Sequence, residues 1–415
     1  MSVSVSFPAL FRRNLFRLLA LSSTMAVSSG MAAEPSPAAP WQGATFAGDR
    51  TALEKLAAAG AKALRVYGEK DAWVLDEARK LGLGVVMGLH VGLPRHGFRL
   101  DDPQAIAAQE ARIREFVRRY RRHPALLAWG IGNEVEHEMP DPLPAWREID
   151  RLGGVVKALD SAHPTLMSVA DASLERLKPL AACCANIDLL GINLYAGAAT
   201  GIGERIRAAG ITKPLLITEL GPLGQWQAGR KPWGAPVELT SREKAAYFRR
   251  TLAELRKEPQ VRGVFPFLWG AKQEQTATWH GLLLADGSLT EMTDALAAAW
   301  GHPPARPAPS ILGIGIAADE FAPGEIVSAG VDARGEALIT GWLLRREASQ
   351  LLGGGDAEPE PAAVGVEILA ADAASVRFRA PETPGAYRLF ITVRDASGKA
   401  ATANLPFFVR RNGQR

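Results

Sequence analysis

Between Trp41 and Trp300, short apolar runs alternate with amphipathic stretches, and this alternation limits the fold more than any other feature of the chain. The runs are "WQGATFAG" (41–48), "ALRVYG" (63–68), "GVVMGLHVG" (84–92), "LLAWGIGNE" (126–134), "TLMSVAD" (165–171), "IDLLGINLY" (187–195), "PLLITELG" (214–221) and "GVFPFLWG" (263–270). A stretch with helical spacing follows each. In "DRTALEKLAAAG", Leu53, Leu56 and Ala57 share one face, Asp49 is placed to cap the start and Gly60 to end it. Continuous apolar strands, each followed by a helix, predict a parallel sheet covered by helices. Eight such units predict a (β/α)8 TIM barrel occupying residues 34–300. A doubly wound open sheet uses the same units, but no glycine-rich phosphate loop follows an early strand here.

The texture changes after "GHPPARPAPS" (301–310), a proline-rich linker. "ILGIGIA", "EIVSAGVDA", "ALITGWLLRRE", "SVRFRA", "GAYRLFITVRD" and "ATANLPFFVRR" are short, often alternating runs separated by turn signals. They predict a small all-β, immunoglobulin-like sandwich over 311–415. "LLGGGDAEPEPAA" (351–363) reads as a mobile loop. At the other end, Arg12, Arg13 and Arg17 precede a short apolar stretch and then small residues suited to cleavage, so 1–33 reads as a secretory signal peptide. Its apolar run is shorter than the ~20 residues of a spanning helix, and no later segment qualifies. The expectation is an exported protein, periplasmic or secreted. Removing the three leader arginines from the formal charge of +4 leaves +1, which gives no reason to expect nucleic acid as a partner. The basic run "RIREFVRRYRR" reads as an outer helix with Ile113, Phe116 and Val117 turned inward. The two cysteines, Cys183 and Cys184, are adjacent; they read as small buried residues at a helix end rather than as a disulfide. No cofactor or metal set is evident.

In a barrel of this kind the active site lies at the C-terminal ends of the strands. Those ends carry Arg65 and Tyr67, His90, Asn133 and Glu134, Asp171, Asn193 and Tyr195, Glu219, and Trp269. Two carboxylates on distant strands, with an arginine, amides and aromatics between them, suit glycoside hydrolysis. One must carry a proton for the leaving oxygen; the other attacks the anomeric carbon or activates water. Arg65 can keep Glu219 ionised and Tyr195 can donate to it. Asn133 can hold the 2-hydroxyl of a sugar, and Trp269 can form an apolar floor beneath the ring. His90 fits a ligand contact or a hydrogen-bonded interior position. After the seventh strand, "GPLGQWQAGRKPWGAPVELT" places Trp226 and Trp233 to stack on further sugar units or to pack the loop on itself. Glu274, in "KQEQTATWH", is a further candidate for substrate contact.

"WGIGNEVE" and "LLITELGP" resemble the acid/base and nucleophile motifs of the retaining β-glycosidases of glycoside hydrolase clan A. "HPALLAWGIGNE" is similar to the family 2 barrel. "LRVYG" and "GNEV" are also similar to segments of β-1,3-glucanosyltransferases and β-1,3-glucanases. "FLWGAKQEQTATWHGLLLADGSLTE" and the C-terminal strands resemble exported bacterial proteins with a family 2-like barrel and a small β domain. The resemblance implies Glu134 as general acid/base, Glu219 as nucleophile, and carboxyl groups about 5–5.5 Å apart. It implies retention through a covalent intermediate. The jelly-roll domain that precedes family 2 barrels has no counterpart before Trp41. The reading is a retaining glycoside hydrolase acting on a β-glucan or related β-linked oligo- or polysaccharide. Two alternatives remain: a transglycosylase using the same residues, and a non-catalytic carbohydrate-binding or envelope-assembly protein.

Overall fold

The computed structural model describes residues 41–170, 172–349, 355–356 and 358–411. The leader at 1–33, Asp171, and residues 351–354 and 357 of the expected loop lie outside the described residues. Eight strands, β1 (Trp41–Ala47), β2 (Ala63–Val66), β3 (Gly84–Leu89), β4 (Leu126–Ile131), β5 (Thr165–Val169), β6 (Leu189–Tyr195), β7 (Leu215–Gly221) and β8 (Val261–Pro266), pair in parallel in chain order. β1 pairs with both β2 and β8, so the sheet closes into the expected barrel. Helices α1 (Arg50–Ala58), α2 (Trp73–Lys80), α3 (Pro103–Tyr120), α4 (Leu143–Leu159), α5 (Leu174–Ala181), α6 (Ile202–Ala208), α7 (Ser241–Leu255) and α8 (Glu291–Ala299) cover it. Asp49 caps α1 by accepting from Ala52 N at 2.8 Å. None of the described helices is long and apolar enough to cross a membrane.

Strand periodicity decides what faces the barrel interior. Ala63, Val86, Ala128, Leu166, Leu216 and Phe265, one each from six strands, form an apolar plug inside the barrel. Their neighbours Leu64, Val85, Trp129, Met167, Leu215 and Val264 belong to the core beneath the helices. By the same alternation Arg65 and Tyr67 point inward above Ala63, as Asn193 and Tyr195 do on β6. Glycines clear space at this level. A Cβ on Gly191 would meet Met167 O at 2.7 Å and Ser168 Oγ at 2.8 Å.

The eighth run departs from expectation. β8 ends at Pro266, and Trp269–Gly270 form a separate strand, β9, paired with Phe46 and Ala47 of β1. Trp269 is fully buried against the helices, its Nε1 donates to Ala52 O at 2.8 Å, and its ring lies 6.0 Å from that of Trp300. It is a core tryptophan, and the sugar-floor expectation is corrected. The cysteines also differ from expectation: Cys183 and Cys184 do follow α5, but their sulfurs are bonded to each other.

Beyond α8, strands β10 (Ser310–Ile316), β11 (Glu320–Phe321), β12 (Ile326–Arg334), β13 (Ile339–Arg346), β14 (Ile368–Ala371), β15 (Ser375–Arg379), β16 (Gly385–Arg394) and β17 (Ala400–Val409) build two four-stranded sheets. Their orders are β10-β12-β15-β14 and β11-β17-β16-β13. Phe321, Val327, Phe378, Tyr387 and Phe407 fill the space between them. This all-β unit is joined to the active face of the barrel by buried polar contacts. Arg388 on β16 donates to Glu347, to Asn404 and to Pro236 O in the barrel. Asn404 Nδ2 donates to Glu238, which also pairs with the buried Lys244. Gln275 in the loop after β9 donates from its side chain to Glu347 and from its backbone N–H to Glu358.

Removing one member of a buried charged pair strands its partner in a medium that cannot solvate it. Arg388→Ala is therefore expected to lower stability by about 3–5 kcal/mol, read by denaturant unfolding, although Arg388 touches neither Glu134 nor Glu219.

Candidate active site

Glu219 faces the barrel mouth because β7 is irregular. Pairing with β6 runs Ile192 to Ile217 and then Asn193 to Glu219, and the β8 register skips between Ile217 and Leu220. This β-bulge lets Thr218 and Glu219, consecutive in sequence, both turn toward the interior. Thr218 Oγ1 donates to Asn193 Oδ1 at 2.7 Å, and its carbonyl accepts from Thr45 Oγ1 and Arg65 Nη1. Glu219 is 6% exposed and takes three donors. Tyr67 OH donates to Oε1 at 2.6 Å, Tyr195 OH to Oε2 at 2.7 Å, and Arg65 Nη1 to Oε1 at 3.3 Å. Burial and the charge of Glu219 push both phenols well above their ordinary range, so they remain donors.

Glu134 is presented differently. β4 stops at Ile131, Gly132 takes φ 68° and Glu134 itself φ 48°. A left-handed glutamate is costly and here is held by its N–H donating to Ser168 O at 2.9 Å. Asn193 Nδ2 donates to Glu134 Oε1 at 2.6 Å and to Asn133 Oδ1 at 3.2 Å. Arg65 Nη2 donates to the same Asn133 oxygen at 2.7 Å. Both donors reach Oδ1, which fixes the Asn133 amide and leaves its Nδ2 for another acceptor. Desolvation, followed by the negative charge of Glu219, pushes the Glu134 carboxyl up to about 8. Because Oε1 receives an N–H, the proton sits on Oε2. The two glutamates thus share one hydrogen-bonded cluster and stand in opposite settings: one ringed by donors, the other desolvated beside a negative charge.

The other expected residues divide. Arg65, Tyr67, Asn133, Asn193 and Tyr195 are in the cluster. Trp226 is 54% exposed and meets Tyr195 edge-on at 5.2 Å, so it stands beside the cleft. Trp233 does not: its ring lies 5.8 Å from Phe408 of β17, at the boundary with the sandwich. His90 sits on the rim, where its N–H donates to Glu69 and its carbonyl accepts from Arg112; these bonds do not reach the cluster. Glu274 is buried one layer behind, paired with Lys272 at 2.6 Å and accepting from Gln225 at 2.8 Å.

Sequence reasoning missed His280. Its buried ring stacks on Trp226 at 6.0 Å and meets Tyr195 at 5.7 Å, with Nε2 on Gln225 Oε1. Desolvation pulls it down to about 4, so it is a neutral wall of the cleft. "TATWHG" carries no strand or helix period, and nothing in it marks the histidine. Arg95 was missed as well; its Nη1 donates to Glu134 O at 3.2 Å.

A closed barrel with a polar cluster at the C-terminal strand ends is the class of fold and site observed. Residues 61–223, from just before β2 to just after β7, match the family model described as "Glycosyl hydrolases family 2, TIM barrel domain". The expected resemblance to that family is therefore found over those residues. No curated protein matches the chain. Among solved structures, β-glucuronidase 2 of Bacteroides uniformis, covalently bound to cyclophellitol-6-carboxylate aziridine, is 18% identical, with a TM-score of 0.50 over 90% of this chain and 46% of that one. The β-D-glucuronidase of Dictyoglomus thermophilum is 15% identical, with a TM-score of 0.51 over 64% of this chain and 51% of that one. At these identities the likeness is one of fold, and this chain spans about half the length of either structure.

The raised Glu134 carboxyl has a consequence for stability. It binds its proton more tightly folded than unfolded, so its contribution is fully present below its ordinary value of 4.5 and is lost as pH rises toward about 8. Glu134→Gln keeps the acceptor for Asn193 but cannot ionise. Its thermal midpoint should gain on that of the unmodified protein between those pH values and hold a constant lead above them. A gap that does not change with pH would contradict the assignment.

Proposed function

We propose that this chain is an exported retaining glycoside hydrolase that cleaves β-glycosidic bonds of a β-glucan or related oligosaccharide by double displacement. The observation that carries the reading is the unequal glutamate pair: Glu134 keeps a proton on an oxygen with no protein partner among the described residues, while Glu219 is oriented by three donors. In the first step a Glu219 oxygen attacks the anomeric carbon as the Glu134 Oε2 proton passes to the departing glycosidic oxygen. The leaving sugar departs as an alcohol and Glu134 becomes a carboxylate. It then takes a proton from water, the resulting oxygen attacks the anomeric carbon, and Glu219 is released with net retention. Asn133 Nδ2 is the donor available for the sugar 2-hydroxyl. Trp226 supplies an apolar ring for a neighbouring sugar. The leader read at 1–33 supports export.

The similar solved structures carry the name β-glucuronidase, which makes a β-glucuronide the natural comparison substrate. The cations near the cluster favour a neutral sugar at the cleaved bond. Arg65 is committed to Glu219 and Asn133, Arg95 donates to the Glu134 carbonyl, and Lys272 pairs with Glu274.

Glu134→Gln and Glu219→Gln should each lower kcat/KM on aryl β-glucosides, the first by about 100-fold or more. For the unmodified protein kcat/KM should fall as pH rises through about 8, where Glu134 loses its proton, and Glu134→Gln should lack that limb. NMR of the first-formed sugar should show the β anomer. Inversion, or binding of sugar without turnover, would overturn the reading, and transfer to added sugar acceptors in place of water would mark a transglycosylase.

Trp226→Ala should raise KM for oligosaccharides by about 3- to 10-fold with kcat little changed, as expected for the loss of a stacking surface away from the reacting atoms. Steady-state kinetics on short and long substrates would check this.

A further inference from the structure

We propose that the cleft between barrel and sandwich is a second saccharide site, distinct from the catalytic pair, and that it receives an anionic sugar unit. The inference rests on the glycosidase reading only in taking the ligand to be a saccharide. The cleft has a volume of about 650 Å³, which suits a sugar unit or two. Its walls come from the loop after β7, the end of β13 and residues 359–362.

Its chemistry is set by charges that do not cancel. Of its acids, Glu347 is held by Arg388 at 2.8 Å and Glu360 by Arg345 at 2.8 Å. Neither of those arginines lines the cleft. The arginines that do, Arg230 and Arg346, have no carboxylate partner among the described residues. Both are nevertheless positioned. Arg230 donates to Gly234 O at 2.7 Å and to Gln225 O at 3.2 Å, and Arg346 lies over the Tyr387 ring at 5.4 Å. Two placed guanidinium groups with unspent charge form a receptor for a carboxylate or sulfate, which their planar donors can grip in pairs. Trp233, backed by Phe408, adds an aromatic surface of the kind that packs against a sugar ring.

The same loop ties this cleft to the catalytic mouth. Gln225, whose carbonyl holds Arg230, uses its side chain to hold Glu274 and His280 behind Trp226. Trp226 stands at one site and Trp233 at the other, on a single segment of chain. A glycan carrying acidic units can therefore be cleaved at a neutral residue while a charged unit is held further along.

Calorimetry on the full chain tests this with three oligosaccharides of matched length: one bearing glucuronate, one sulfated and one neutral. The expected result is binding of an anionic probe in preference to the neutral one, the two anionic arms telling carboxylate from sulfate. Arg346→Gln should weaken that binding about tenfold or more while leaving aryl β-glucoside turnover and the thermal midpoint unchanged. Trp233→Ala should weaken it as a second, independent variant. Equal affinity for the neutral probe, no binding of either anionic probe, or full affinity in Arg346→Gln would overturn the proposal. Turnover without anion binding would sink this inference alone; anion binding without turnover would sink the hydrolase reading alone.

Discussion

Arg65 is the charge around which the mouth of the barrel is organised. Its side chain is almost fully buried, and a guanidinium removed from water must be paired in place. It meets Glu219 Oε1, the Thr218 carbonyl and Asn133 Oδ1, with Ser168 Oγ at the 3.5 Å limit. These partners lie on β7, on the turn after β4 and on β5, so one side chain from β2 measures the distance across the barrel. The pairing also separates the two glutamates electrostatically. A positive charge is spent on Glu219, and what reaches Glu134 is the negative charge of Glu219 together with desolvation. The two carboxyl groups thus stand in unlike settings, Glu219 beside the arginine and Glu134 desolvated and facing a negative charge.

That arrangement needs room, which the strands provide by omission. Above the plug formed by Ala63, Val86, Ala128 and their neighbours, the inward positions on β3, β4 and β6 are Gly88, Gly130 and Gly191. A Cβ on Gly88 would lie 2.3 Å from the Tyr67 carbonyl carbon, so Tyr67 could not keep its place beside Glu219. The bulge in β7 adds a further inward residue where regular alternation allows one. Small residues on three strands and one extra residue on a fourth convert a filled barrel into one with a polar chamber at its C-terminal end.

The barrel was legible because its signal is redundant: eight strand–helix repeats constrain one another, so even β1, weak by itself, had a place waiting for it. The cluster was legible in part for the same reason, since strand-end residues of known parity must converge. Two kinds of information were not legible. Contacts made where the chain leaves regular structure escaped notice, as with His280 and Arg95, because no period relates a loop residue to its neighbours. Local irregularity misled in the case of Trp269, which a continuous eighth strand would have carried to the mouth. The break after Pro266 gave it to β9 and the helical core instead. The vicinal cysteines were another such case, since adjacency in sequence argued for two free side chains and the turn after α5 brought the sulfurs together.

The sandwich is bound into the site rather than attached beside it. Gln275 and Glu274 are neighbours in the loop after β9. The first is held by Glu347 and Glu358 of the β domain, the second by Lys272 and Gln225 of the barrel. Gln225 in turn holds His280, whose ring meets those of Trp226 and Tyr195, and Tyr195 donates to Glu219. A chain of hydrogen bonds and ring contacts therefore runs from Arg388 on β16 through Glu347 and the loop to the Tyr195 phenol that donates to Glu219. Loops at barrel mouths are ordinarily the least constrained parts of the fold. Here the loop is clamped from both sides, and the clamp is made of buried charges whose partners come from different domains. The β domain thereby braces the loops that border the polar cluster.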